Sequence, residues 1–210
     1  MPLQKDVTDY WESEVCGARF ALGIDQDELI AKEIERTRYR CEPHIPSFAG
    51  FDKDNSGKKI LEIGVGAGTD FIQWLRSGAD CYGIDATAAA IQETTKNINC
   101  ILPSGQRPHF LQVASAENLP FEDNFFDIVY SYGVLHHATN TMQCIHESAR
   151  VLKPGGKLKI MVYSSFSATG IMLWGLYGLL KGKPFKSQEK IIFDYLESPG
   201  TKSYSKKEFL

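Results

Sequence analysis

Glycine stands at every second position, Gly64, Gly66 and Gly68, between an apolar run and a helical one, and few folds accommodate that junction. Ile60, Leu61 and Ile63 read as a buried strand, while Phe71, Trp74 and Leu75 follow helical spacing. Strand, glycine loop and helix make a nucleotide cradle, because side chains would block a ligand lying on the backbone and the tight turn visits dihedrals closed to most residues. Amides at the helix start are then available to the ligand. Asp85 ends the next apolar segment, Cys81-Tyr82-Gly83-Ile84, about 20 residues after the loop, where a carboxylate can accept from both hydroxyls of a ribose.

Beyond this junction the pattern alternates. Strands are predicted near 58–63, 80–85, 109–113, 126–131 and 156–163, and helices near 69–77, 87–99 and 141–151. Such alternation implies right-handed crossovers and a doubly wound, mostly parallel α/β sheet covered on both faces. Ligands bind such sheets outside the carboxyl ends of the strands. Gly64 to Gly68, Asp85, Ser115 to Glu117 and Ser131 to His137 all follow predicted strand ends, so they converge on one pocket.

The spacing G-x-G-x-G, with Thr69 where a dinucleotide fingerprint has its third glycine and Glu62 two places before the first, resembles the first motif of class I S-adenosylmethionine (SAM) dependent methyltransferases. Downstream, Ser115-Ala116-Glu117-Asn118-Leu119-Pro120-Phe121 is similar to the family's adenine-side loop, and Phe126-Asp127-Ile128-Val129-Tyr130-Ser131 to its fourth strand. Tyr132 to His137 and Leu152-Lys153-Pro154-Gly155-Gly156 match the segments that follow. The resemblance covers roughly residues 57 to 165 and lies toward the type 11-like, small-molecule group, which includes quinone-biosynthesis C-methyltransferases. It implies a Rossmann-like fold, SAM as cofactor with S-adenosylhomocysteine as product, and a small-molecule acceptor. It assigns cofactor binding to Glu62, Gly64, Gly66, Gly68, Thr69, Asp85, Ala86 and Ser131, and on the adenine side to Ser115, Ala116 and Glu117. Ser115 stands where the family often has aspartate, and Glu62 suits either the cofactor's ammonium or the capping of loop amides. Asp70, just inside the helix, suits the helix dipole as well as a ligand.

Methyl transfer needs orientation rather than a covalent nucleophile, and a base only where the acceptor must lose a proton. His136 is the candidate base, since imidazole titrates near neutrality. Adjacent residues in a helical turn diverge, so only one of His136 and His137 is expected to face the pocket.

Residues 1–56 read as a helical cap, 57–165 as the core and 166–210 as a helical C-terminal segment. A cap helix is expected after Asp25, and Tyr10, Trp11, Phe20 and Tyr39 either close over the cofactor or pack the cap. Tyr39-Arg40 and Glu42-Pro43-His44 are expected at the entrance. Ser205-Lys206-Lys207-Glu208 forms a capping box two residues before the end, leaving no room for the sixth and seventh strands that the resemblance implies. The expectation is therefore a truncated reading frame, with the fifth-strand edge and residues 171–180 available for a homodimer.

A net charge of -3 argues against nucleic acid as partner. Five dispersed cysteines without a C-x-x-C pair indicate neither metal site nor disulfide framework and suit a cytoplasmic setting. The apolar run Ile171 to Leu180 is too short to span a membrane. Two other readings stay open at this point: a SAM-binding protein without turnover and a nicotinamide-dependent oxidoreductase.

Overall fold

The computed structural model describes residues 4–13, 15, 27–102, 109–182, 184–196 and 200–209. Its centre is a parallel sheet of β1 (Lys59–Ile63), β2 (Asp80–Asp85), β3 (His109–Val113), β4 (Phe126–Tyr132) and β5 (Leu152–Met161) in the order β3-β2-β1-β4-β5. Helices α1 (Gln4–Ser13), α2 (Asp27–Cys41) and α3 (Ile45–Ala49) precede the sheet. Crossovers run through α4 (Thr69–Arg76), α5 (Ala88–Ile101) and α6 (Thr141–Arg150), and α7 (Ala168–Leu173), α8 (Gln188–Tyr195) and α9 (Lys206–Phe209) follow β5.

Alternation along β1 builds two cores. Ile60 joins Phe71, Trp74 and Ile98 on one face, and Leu61 and Ile63 join Phe126, Leu135 and Cys144 on the other. Because β1 pairs with both β2 and β4, the chain departs to opposite sides of it, and a crevice opens at the carboxyl ends of these strands. Two of the crossover helices, α5 and α6, start on side-chain caps. Thr87 Oγ1 accepts from the Ala90 amide at 3.3 Å, and Asn140 Oδ1 from the Gln143 amide at 3.1 Å.

The predicted elements match closely, with one difference in β5. Its register jumps from Phe126 opposite Leu152 to Ile128 opposite Lys157, so Leu152–Gly156, ahead of the strand predicted at 156–163, is a bulge inside a longer strand. No strand beyond these five occurs among the described residues. The chain after α8 instead returns to β5, where Ser164 and Tyr204 form an isolated parallel bridge and the Lys202 amide donates to the His136 carbonyl at 3.0 Å. The capping box is half realised: the Ser205 amide donates to Glu208 Oε2 at 2.7 Å and starts α9.

Candidate functional site

A cavity of about 180 Å³ lies over the carboxyl ends of β1, β2 and β4, under α1 and α2. Glu62 lines it from the end of β1, Gly64 and Gly66 from the loop that follows, Thr69 from the start of α4, and Asp85 with Ala86 from the end of β2. Ser115 and Ala116 close the β3 side. Gly64 has φ 81°, and a Cβ there would stand 2.3 Å from Val134 Cγ2, so the loop and the segment after β4 meet only because this position is bare. Carbonyls of the loop are taken by α5: Thr94 Oγ1 donates to Gly66 O and Asn97 Nδ2 to Ala67 O, each at 2.9 Å.

Three residues expected at the cofactor lie off this wall. Gly68 turns the chain into α4 at φ 78°, where a Cβ would meet Thr94 at 2.8 Å. Glu117 accepts from the Asn140 amide at 2.8 Å and ties the β3 loop to α6. Ser131 is fully buried, its hydroxyl donating to the Ile63 carbonyl at 3.0 Å between neighbouring strands.

Asp85 is held in place before any ligand arrives. Its Oδ2 accepts from the Gly66 amide at 3.1 Å, and its Oδ1 from the Thr87 amide and hydroxyl at 3.1 and 2.8 Å. Burial lifts its pKa, and these bonds only partly offset that. Glu62 is 4% exposed, and its Oε2 has no hydrogen-bond partner. Burial, reinforced by the charge of Asp70, raises its pKa well above the usual carboxylate range.

Asp70 is the hub of a network that sequence reasoning missed. It accepts from Arg38 through two bonds of 2.8 and 2.6 Å, from Tyr39 Oη at 2.9 Å and from Tyr130 Oη at 2.8 Å. Burial alone would lower the Arg38 pKa; the bonds and charge of Asp70 outweigh it and hold the guanidinium ionised. A usable signal existed: Arg38 lies one turn after buried Ile34, placing a charge on the inward stripe of α2. Among the described residues the cavity thus carries three carboxyl groups, Glu62, Asp70 and Asp85, and one guanidinium: Arg38 neutralises Asp70, and burial holds Glu62 toward its neutral form until a cation lies beside it.

The choice between the two histidines is reversed. His137 lines the cavity, with the edge of the Trp11 ring 5.2 Å away between centroids. His136 lies behind the wall, fully buried, its ring 4.0 Å from that of Tyr163 and neither nitrogen hydrogen-bonded. Burial, then the charges of His137 and Lys202, pull its pKa down to about 2. The cause is the returning segment that bonds the His136 carbonyl and covers this side of the turn.

Of the expected closing aromatics, Trp11 lines the cavity, Tyr10 packs on Trp11, and Tyr39 is spent on Asp70; Phe20 lies outside the described residues. Glu42 and His44 both bond the Tyr132 hydroxyl at 2.8 Å, and it is Tyr132 whose side chain reaches the cavity. Helix α1 is latched across the opening by Glu12, whose carboxylate accepts from the Ala88 and Ala89 amides at 3.0 and 3.2 Å.

Residues 61–160 match a family model described as a methyltransferase domain. The tRNA U34 carboxymethyltransferase of Idiomarina loihiensis is 28% identical over 171 residues, which cover 79% of this chain and 50% of that protein. The demethylmenaquinone methyltransferase of Tropheryma whipplei is 28% identical over 150 residues, 67% of this chain and 58% of the other. The crystal structure of YcgJ from Bacillus subtilis shares the fold with a TM-score of 0.57 at 22% identity, covering 78% of this chain and 62% of that one. The chain spans about half the length of the curated relatives it matches.

Proposed function

Since the chain belongs to the class I SAM-dependent methyltransferases, we propose that its cavity binds SAM and that it transfers a methyl group to a small-molecule acceptor by direct displacement. The observation that carries this reading is the unpartnered, buried Glu62 Oε2 on the cavity wall, with Asp85 at the end of the neighbouring strand. Glu62 suits an ammonium and Asp85 suits the two hydroxyls of a ribose, so the wall fits both polar ends of the cofactor. When bound, SAM supplies a methyl group activated for attack by a nucleophile.

The residues divide the remaining work. Gly64 and Gly66 let the ligand approach the backbone, Ser115 and Ala116 bound the adenine end, and Trp11 on α1 excludes water from above. Tyr132, Val134 and His137 border the acceptor side, where His137 is the imidazole placed to hold or accept a proton. Thr69, standing where a dinucleotide fingerprint has its third glycine, disfavours a dinucleotide. The net charge of -3 supports a small acceptor rather than a polyanion. The thiols Cys41, Cys81, Cys100 and Cys144 support a cytoplasmic setting.

Calorimetric titration with SAM and with NAD tests the cofactor. SAM binds and NAD does not, and Asp85→Ala weakens SAM at least tenfold, the order expected for losing a ribose-binding carboxylate. Unchanged SAM affinity in Asp85→Ala, or binding of NAD, would sink the reading. Transfer of labelled methyl from SAM to any small acceptor separates an enzyme from an inert binder.

A further inference from the structure

After β5 the chain carries an apolar stripe that nothing among the described residues covers. Met172, Leu176, Leu179 and Leu180 recur at helical spacing, and each is at least 47% exposed. Phe166 and Phe185 flank the stripe and stand 80% and 101% exposed. The other side of the same segment is spent: Leu173 and Gly178 are buried, and a Cβ on Gly178 would lie 3.0 Å from Ile191 Cδ1 of α8. The stripe therefore faces outward, and single scattered exposure does not account for it.

Charge indicates what covers it. From Ser164 to Gln188 the sequence holds Lys181, Lys183 and Lys186 and no acidic residue. Lys186 and Lys190 share one carboxylate, Asp194, while the Lys181 ammonium sits 4.7 Å above the Tyr177 ring. A second copy of the chain would bring these like charges together. No helix among the described residues is long and apolar enough to cross a membrane.

We propose that this face docks on the surface of a bilayer bearing anionic headgroups, the stripe entering the acyl boundary and the lysines meeting the phosphates. Helix α8, which packs on the buried side of this segment, links it to the candidate site: Phe193 of α8 and Lys202 share a small cleft with His137 and Ala138, which also line the main cavity.

Flotation of the 210-residue chain with vesicles of phosphatidylcholine, and of phosphatidylcholine mixed with phosphatidylserine, tests the proposal. The chain floats with the mixed vesicles, loses them at high salt, and loses them in a Leu176→Glu/Leu180→Glu variant whose circular dichroism is unchanged. Lys181→Gln weakens partitioning about fivefold, since each lysine near an anionic surface counts for a factor of about five. No flotation at low salt, equal flotation with neutral vesicles, or a dimer in light scattering that Leu176→Glu/Leu180→Glu dissolves, overturns it. None of these measurements involves SAM, so the result is independent of the methyl-transfer reading.

Discussion

The Arg38 guanidinium grips the Asp70 carboxylate side-on, with Nε 2.8 Å from Oδ1 and Nη2 2.6 Å from Oδ2. This pair fastens α2 to the start of α4 and brings the cap against the glycine loop. Asp70→Asn leaves the guanidinium largely buried without its carboxylate, which costs about 3 kcal/mol. Thermal denaturation should show the midpoint falling by about 6 to 12 °C. A shift under 2 °C would mean that the pair adds little to the fold.

Glu62 opposes stability in the ligand-free protein. Its folded pKa is raised, so above the ordinary carboxylate range the unfolded chain releases a proton that the folded chain retains, and stability falls as pH rises toward the raised value. Glu62→Gln should therefore raise the melting temperature of the ligand-free protein at neutral pH while weakening SAM binding. Wild-type binding should release a proton, visible as a binding enthalpy that differs between Tris and phosphate buffers.

His136 acts in the opposite direction on the pH axis. With its folded value near 2, the unfolded chain alone takes up the proton once pH drops below about 6.5, so stability is lost as pH falls through that window. The loss amounts to about 2 kcal/mol at pH 5. His136→Phe keeps a ring against Tyr163 and should abolish this dependence in urea denaturation, leaving the pH profile of methyl transfer unchanged. A profile altered by this substitution would restore His136 as the base.

The Glu12 latch gives a kinetic prediction. Glu12→Ala removes the acceptor for the Ala88 and Ala89 amides, a loss on the order of 1 kcal/mol. Amide hydrogen exchange across Val7–Ser13 should accelerate about fivefold while β1 is unaffected. Equal exchange in wild type and variant would show that α1 is held by Val7 and Trp11 instead.

Local pattern accounts for what the sequence made legible. Ile60 to Thr69 announced strand, loop and helix because period and glycine spacing are properties of neighbouring residues, and Asp85 followed from strand length. Asp70 was visible as a residue but not as a hub, since its partners Arg38, Tyr39 and Tyr130 come from α2 and β4. Glu117, Ser131 and His136 lie off the cavity wall for a related reason: each carries the right chemistry at a strand end, yet the Asn140 amide, the Ile63 carbonyl and the returning segment near Lys202 claim or cover them. Tertiary partners decide the direction of a side chain, and a motif records only its place.

The bulge in β5 has a consequence for colloidal behaviour. A ten-residue edge strand that ran straight would template further strands from other molecules and seed fibrils. Pro154 has no amide to donate, the jump in register between Leu152 and Lys157 breaks the regular hydrogen-bonding ladder, and Lys157 and Lys159 add charge to the same strand. Straightening the segment by deleting Gly155 and Gly156 would trade a guarded margin for an adhesive one.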